Sequence, residues 1–387
     1  MRILKNSFYL YVILYIVVVV IYSFGWSNIL PELSIELFLF FTCTFLLALF
    51  LGYILSQLRG LKYEKALSSK YDYIPILIIV FSNGLEFLYS GYIPLIKYLN
   101  LEEFVFKHYG GIPTFHVVLV SFTTFYSAIA FHKLVSSFNI SRTIYYIITL
   151  IPAVLTFNRG MFFTMFFTSL LIFLYSFKNR INFKLAIALS VGFLYIFYLF
   201  GKTSNYRANQ TESNVVILKV SEASENFRNS SIPHEYMWSY MYVCSPMGNL
   251  QNMINIKSPE YDFGGFLLTN ICPDFIQRRI KSLFNVKTKK APLITDYFTV
   301  STFYGKAYSD FGFIGMTIMF GLQAGMVFFT LLVLKPSSKY IIPSLAILNT
   351  IIILNVFSNA ITFSGISFQV IWILVFGTIE KYKFVVK

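Results

Sequence analysis

Ten stretches of apolar residues, each about 17 residues or longer, recur along this sequence and restrict it to one kind of fold. They are 8–24, 35–55, 73–93, 113–131, 143–158, 161–177, 185–201, 308–334, 340–357 and 361–379. A stretch of that length crosses the hydrocarbon of a bilayer as a helix, and a helix satisfies its own backbone groups where no water can. The expected fold is therefore all-α, a polytopic membrane bundle of ten spans. Spans 143–158 and 161–177 are separated only by Asn158-Arg159-Gly160. One broken helix is the alternative there, but arginine is costly in lipid, and a tight hairpin brings Arg159 to the surface. The first span follows Arg2 and Lys5, as a secretion signal would. It is long for a signal core and lacks a small-x-small cleavage site, so it reads as a membrane helix.

Composition supports the bilayer and argues against nucleic acid. Apolar residues make up 57% of the chain, with 44 Phe, 28 Tyr and a mean hydropathy of +0.67, more than a soluble core hides. The net charge of +14 is spread over the ends of the spans rather than gathered on a nucleic-acid face. Its distribution sets the orientation. Alternate short connections carry 16 Lys and Arg, among them Lys65, Lys70, Lys133, Arg142, Lys335 and Lys339, whereas the opposite ones carry only Lys97, Lys107 and Arg159. By the positive-inside rule the 16 are cytoplasmic, and so are both termini. The turn 56–72 is then an inner basic turn, solvated or touching anionic lipid.

Residues 202–305 form the long polar interval, too long for a turn between neighbouring helices. The expected domains are a bundle over 1–201, a large outer loop over 202–305 and a second bundle part over 306–387. Within the loop, 212–230 reads as surface helix or coil, and 234–244 as an aromatic helix at headgroup level. Pro246–Asn252 reads as a turn into a polar helix. Residues 278–290 gather Arg278, Arg279, Lys281, Lys287, Lys289 and Lys290, a phosphate site or a basic stripe on anionic headgroups. Cys244 and Cys272 either pair in an oxidising compartment or stay as thiols. Gly321-x-x-x-Gly325 permits close helix packing. On the outer side, Trp26 reads as an interfacial aromatic, and 94–112 carries Glu102, Glu103, Lys107, His108 and Gly110-Gly111.

The motifs first exclude. No GxxxxGK[ST], D-x-D pair, C-x-x-C or H-E-x-x-H occurs, so the expected chemistry runs without nucleotide, metal or other cofactor. Arg159 is either a snorkelling cation at a helix end or a guanidinium fork for phosphate. His234, beside Glu235, is either a surface histidine or a general base. His116, just inside a span, is a weaker candidate of the same kind; His108 and His132 are set aside. Glu86, with Asn83 in the same span, favours a polar pathway and hence a transporter.

Three segments carry a resemblance. Thr302–Gly315 (TFYGKAYSDFGFIG) opens a span with the pattern aromatic-x3-Tyr-x-Asp-Phe-Gly-x-x-Gly, and upstream lie Tyr242–Gln251 (YVCSPMGNLQ) and Leu155–Met161 (LTFNRGM). With ten spans and one large outer loop, the chain resembles bacterial O-antigen polymerases of the Wzy type. The resemblance covers most of the chain as architecture and these three stretches as motif. The Arg-x-x-His pattern of the related ligases is missing from the loop, which leaves the base open.

The resemblance implies an enzyme of the inner membrane with its large loop in the periplasm. It would transfer a glycan from polyprenyl diphosphate to a sugar hydroxyl of another undecaprenyl-diphosphate-linked repeat unit. Its partners would be those units, membrane lipids, a chain-length regulator and a flippase. The site it implies has His234, Glu235 and Asp310 as catalytic groups and Arg159, Arg207, Arg278 and Arg279 on the diphosphate. Asn249, Gln251, Tyr304 and Tyr308 would face the glycan. An O-antigen ligase and a flippase of lipid-linked glycans are the alternatives. The orientation is testable. With the three native cysteines replaced by serine, Glu222→Cys should react with an impermeant maleimide in intact spheroplasts and Lys65→Cys should not. The reverse labelling would invert the topology.

Overall fold

The computed structural model describes residues 3–58, 63–66, 69–100, 109, 111–176, 183–209, 215–256, 259–286 and 291–383. Among these the chain is helical, with one isolated bridge between Ser27 and Ala223. The helices before the long polar interval are α1 (Ser7–Tyr22), α2 (Ile35–Leu58), α3 (Tyr73–Ser90), α4 (Pro94–Leu99), α5 (Phe115–Ser136), α6 (Ile140–Leu155) and α7 (Arg159–Ser176). Helix α8 (Phe183–Asn209) runs on into the interval, which holds α9 (Val215–Val220), α10 (Glu225–Arg228), α11 (Tyr236–Ile256), α12 (Phe263–Phe266) and α13 (Asp274–Phe284). Then come α14 (Gly305–Val333), α15 (Ile341–Asn355) and α16 (Ser364–Lys383). Among the described residues, α2, α3, α5, α7 and α14 are long and apolar enough to cross a membrane, and α1, α6 and α15 are shorter apolar helices.

Local chemistry sets the helix ends. The Asn6 side chain accepts from the Phe8 N–H and caps α1; Asn139 does the same for α6 through Ser141. Helix α3 stops at Gly91, whose φ of 73° is the left-handed conformation that glycine adopts freely. The hairpin expected at Asn158-Arg159-Gly160 is present. Helix α6 ends at Leu155, Phe157 turns the chain at φ 51°, and the Asn158 side chain accepts from the Met161 N–H at 3.0 Å to open α7.

Helix α5 is the axis of one half, packed against α3, α6, α7, α15 and α16. Helix α1 is the axis of the other, packed against α2, α11 and α15. Apolar faces gain nothing over lipid by meeting each other, so close packing and interhelical hydrogen bonds hold such a bundle. The Tyr11 hydroxyl meets the Tyr304 hydroxyl at 2.8 Å and that of Thr44 at 3.2 Å, joining α1, α2 and the start of α14. Asn349 of α15 donates to the Leu4 carbonyl at 2.8 Å and the Tyr175 hydroxyl at 2.6 Å, and accepts from Ser7 at 2.6 Å.

These pairings define two ends. Ser136 meets Tyr63 and Ala66, and Ser338 meets Glu380, at what we term the basic end. Gln251 meets Ser34, Asn355 meets Phe303, and Thr362 meets Asp274 at the capped end.

The polar interval departs from its expected form. Helix α11 is continuous through Pro246, where a turn was expected, and packs into the bundle against α1, α8 and α14. Met237, Met241, Cys244, Met247, Leu250 and Met253 of α11 are all buried. Proline removes one helical N–H and crowds the carbonyl four residues back, and the burial of α11 on several sides holds the helix together across it. Trp26 is half-buried against Phe227 and Tyr240, with ring centroids at 4.8 and 5.1 Å, rather than lying free at the interface. Cys244 and Cys272 are free thiols, and burial pushes both upward from the ordinary thiol range. Gly321 and Gly325 are exposed with open space around them, so among the described residues they bring no other helix close.

Helix α14 is broken near its start. Phe311 and Gly312 leave the helical conformation, Gly312 at φ 60° and ψ −154°, a region open essentially to glycine alone. The Glu260 and Asp262 N–H groups donate to the Ser309 and Asp310 carbonyls beside the break, at 3.1 and 3.2 Å. An incoming segment thus replaces helical partners.

Asn349→Ala would leave the Leu4 carbonyl and two hydroxyls without their partner in the interior. The expected loss is about 1–3 kcal/mol, read as a lower midpoint of thermal unfolding in detergent. Leu46→Ala, on an exposed face of α2, should shift it far less.

Candidate functional site

Two polar pairs join other helices to the start of α5 at the capped end, Glu86 with His116 and Arg279 with Thr114. His116 Nδ1 lies 2.7 Å from Glu86 Oε2, and the Ile112 N–H donates to Glu86 Oε1 at 3.3 Å. The Glu86 side chain is 2% exposed and that of His116 22%, so the carboxylate is enclosed and the imidazole reaches the surface. Glu86 sits one turn from the end of α3, not in mid-span. With Nδ1–H donating to Glu86, His116 Nε2 is left as an acceptor toward that surface.

The backbone is shaped to fit this pair. Gly111 has φ 58°, and a Cβ there would lie 2.5 Å from Glu86 Oε1 and 2.8 Å from His116 Nδ1. Thr114 takes φ 70°, an uncommon and strained conformation for a β-branched residue. Its hydroxyl accepts from the Arg279 guanidinium. Tyr109 meets the His116 ring edge-on at 5.9 Å; burial and then the Glu86 carboxylate push its hydroxyl up to about 12.

Arg279 comes from α13, which lies across this end. Its apolar Ile276, Ile280, Leu283 and Phe284 recur at helical spacing opposite Asp274, Gln277, Arg278 and Lys281, the pattern of a helix lying in an interface. Leu283 and Phe284 are largely exposed. The first turn is pinned: the Asp274 carboxylate accepts from the Ser364 hydroxyl and N–H at the head of α16, and the Asp274 N–H donates to the Thr362 carbonyl at 2.8 Å. Arg278 pairs with Asp274 at 3.0 Å and is otherwise exposed.

A second polar knot adjoins α13. Asp310, the last residue before the break in α14, is buried and pairs with Lys306 one turn earlier. It also accepts from the Thr269 hydroxyl and, at 2.8 Å, from Asn270. Thr269 and Asn270 belong to a short π-helical turn, Leu267–Ile271. Such turns widen the backbone ring and occur often at functional sites. Gln277 of α13 donates to the Cys272 carbonyl at 2.7 Å, and Asn359 to that of Asn270 at 2.9 Å. Asn270 Oδ1 is buried with no partner among the described residues.

Arg159 belongs to the same end. It is exposed as the first residue of α7, and two residues on Met161 belongs to a buried cluster with Ala153 and Met165 that Val120, one helical turn after His116, packs against. Val120 also abuts Gly365 at the head of α16. Thus α3 meets α5 at His116, α13 meets it at Thr114, and α7 and α16 pack near Val120 one turn on.

The expected site residues divide. Arg159, Arg278, Arg279 and Asp310 lie at this end. His234 and Glu235 make no contact with them among the described residues. They stand half-buried before α11, by Phe227 and Gly201. Helix α11 then rises about 25 Å before Met253 reaches Gly305. Asn249 and Gln251 are fully buried: Asn249 holds the Phe298 and Val300 carbonyls and the Ile294 N–H, and Gln251 holds Ser34 and Asn255. Tyr304 is enclosed against Tyr11, and Tyr308 is buried near Phe313. None of these four side chains presents a surface to a glycan, because the extended segment before α14 and the helices α1 and α2 cover them. The Arg207 side chain, Glu102, Glu103, Lys107, His108, Gly110, Lys287, Lys289 and Lys290 lie outside the described residues. No metal-ligating cluster occurs among the described residues.

Sequence reasoning ranked His116 low and read Glu86 as a transport feature; the two are paired. It passed over Lys306, although its spacing of four from Asp310 signals a pair on one helix face. Thr269, Asn270 and Asn359 carry no such signal. No family model, curated protein or solved structure matches this chain.

The Lys306–Asp310 pair is testable by a double-mutant cycle. Lys306→Met leaves the Asp310 carboxylate buried without its cation and should cost about 3 kcal/mol. Adding Asp310→Asn should recover most of that stability in thermal unfolding. Additive losses would show that the two side chains are uncoupled.

Proposed function

We propose that this protein is a membrane glycosyl polymerase, joining repeat units carried on polyprenyl diphosphate at the capped end. The observation that carries the reading is the Glu86–His116 pair, an imidazole oriented by an enclosed carboxylate, at the same end as Arg159 and Arg279. A carboxylate-held histidine with one free nitrogen is the arrangement of a general base. Guanidinium groups at headgroup level are the arrangement for a diphosphate. The resemblance of Leu155–Met161, Tyr242–Gln251 and Thr302–Gly315 to the O-antigen polymerases points the same way, with ten spans and the capped end outward.

On this reading His116 Nε2 takes the proton of the acceptor sugar hydroxyl as its oxygen attacks the anomeric carbon of the donor. A new glycosidic C–O bond forms, and the C–O bond to the diphosphate breaks. The electron pair leaves with the polyprenyl diphosphate, whose developing charge meets Arg159 and Arg279. Glu86 stabilises the imidazolium. Asp310, saturated by Lys306, Thr269 and Asn270, acts as a positioning residue for the segment beneath α13. This assignment moves the base from His234 to His116. A ligase would use the same chemistry on a different acceptor, and surface glycan separates the two. A polymerase deletion leaves one repeat unit on the lipid core, and a ligase deletion leaves none.

Arg159→Lys keeps the charge but loses the two-pronged geometry. It should lose most activity at normal protein level, and Arg159→Ala nearly all, about 3–4 kcal/mol or a hundred- to thousandfold. His116→Ala should abolish long glycan chains while His234→Ala leaves them. Chain-length ladders from complemented deletion strains report both. Long chains in the His116→Ala strain would sink the base assignment, and long chains with Arg159→Lys the diphosphate site.

A further inference from the structure

The basic end holds a cavity that the reaction above does not use. Its volume is about 180 Å³, and it lies between α5, the turn before α3, the start of α15 and α16. Its walls change character along α5. Phe122, Phe125 and Phe376 line the part further along α5, Asp72, Lys133 and Lys339 line the mouth, and His132 is buried in the wall beside them. At 1.5 Å per residue, Phe122 and His132 are about 15 Å apart along the helix. A cleft that is aromatic at one end and ionic at its mouth has the profile of an amphiphile.

The charges at the mouth give the sign. Lys133 pairs with Asp72 at 2.6 Å. Arg142 adds a guanidinium that bonds the Lys133 and Ser137 carbonyls. Lys339 is exposed, its ammonium 5.1 Å from the Tyr340 ring, with no acidic partner among the described residues. Of the other acids nearby, Glu380 accepts from Ser338 and Glu64 is exposed. Lys65 and Lys70 flank the lining residues Ala66 and Tyr71 on the same turn as Glu64, so cations outnumber carboxylates around this cleft and leave positive charge for a ligand.

His132 gives the second requirement. It is buried, and its Nε2–H donates to the Glu64 carbonyl at 2.9 Å. That fixes Nδ1 as an acceptor, and Nδ1 is buried with no partner among the described residues. A buried acceptor without a donor is costly, and a ligand hydroxyl would satisfy it. We infer that this cavity binds an anionic phospholipid of the basic-end leaflet, a phosphodiester whose headgroup carries a free hydroxyl. The phosphate meets Lys339 and Lys133, the hydroxyl donates to His132 Nδ1, and the first methylenes lie on Phe122 and Phe376.

The test uses the full chain in phosphatidylcholine nanodiscs doped with either of two anionic lipids. Phosphatidylglycerol has the headgroup hydroxyl, and phosphatidylethanol is the same charged diester without it. Bound lipid is counted by native mass spectrometry. Wild type should retain the glycerol lipid several-fold over the ethyl lipid and both over phosphatidylcholine. Lys339→Gln, an exposed position where folding is not at stake, should weaken both anionic lipids about tenfold, the loss of one charge-assisted contact. His132→Phe should remove the preference between the two anionic lipids and leave the preference over phosphatidylcholine. Equal retention of all three lipids by wild type would overturn the inference, as would an unchanged Lys339→Gln variant. Displacement of the lipid by soluble glycerol phosphate at similar concentration would also overturn it, since the ligand would then be a free phosphate ester.

Discussion

Inside a bilayer no water stands ready to satisfy a freed backbone group, and that constraint shapes the capped end of this molecule. The break at Phe311–Gly312 disturbs the helical partners of the Ser309 and Asp310 carbonyls. The chain meets this by bringing Glu260 and Asp262 alongside as donors. Once 259–262 is fixed there, α12 and the π-helical turn must follow directly, and α13 is delivered across the bundle end. Asp310 sits at the hinge of this arrangement, so its pairing with Lys306, Thr269 and Asn270 orders the same segment from the side-chain direction. The break in α14 and the segment that answers it thus lead directly to the helix that holds Arg278 and Arg279.

The apolar periods made much of the bundle legible, because length and apolarity alone mark a crossing helix. The turn at Asn158-Arg159-Gly160 was legible too, since Asn is a good cap and Arg avoids lipid. What sequence did not reveal is that α11 runs unbroken and buried. Its Asn249 and Gln251 read as surface chemistry, yet both are buried. Their partners lie in the irregular segment 291–302 and at Ser34, and no periodicity marks those. The Glu86–His116 pair was hidden for a similar reason. The two residues are 30 positions apart on different helices, and a lone His at a span end carries no signal of its partner.

The two ends of the bundle handle charge differently. At the capped end, acids are enclosed and cations reach outward: Glu86 and Asp310 are buried, while Arg159 and Arg278 are exposed. At the basic end, Asp72 and Lys133 share one environment, each side chain 13% exposed, and their charges largely cancel. The first arrangement suits an anion that arrives and departs. The second suits a ligand that stays.

The Asn349 junction bears on how the molecule is made. Ser7 at the head of α1 finds its hydrogen-bond partner 342 positions later, and Tyr11 finds Tyr304 after 293. Until residues near 304 and 349 have left the ribosome, the first helix carries these hydroxyls into the bilayer without their final partners. Early helices must therefore wait in a provisional arrangement, and the bundle closes by lateral sorting late in synthesis rather than by stacking each helix on the last. A chain built this way depends on whatever shelters polar side chains at the insertion machinery during that interval.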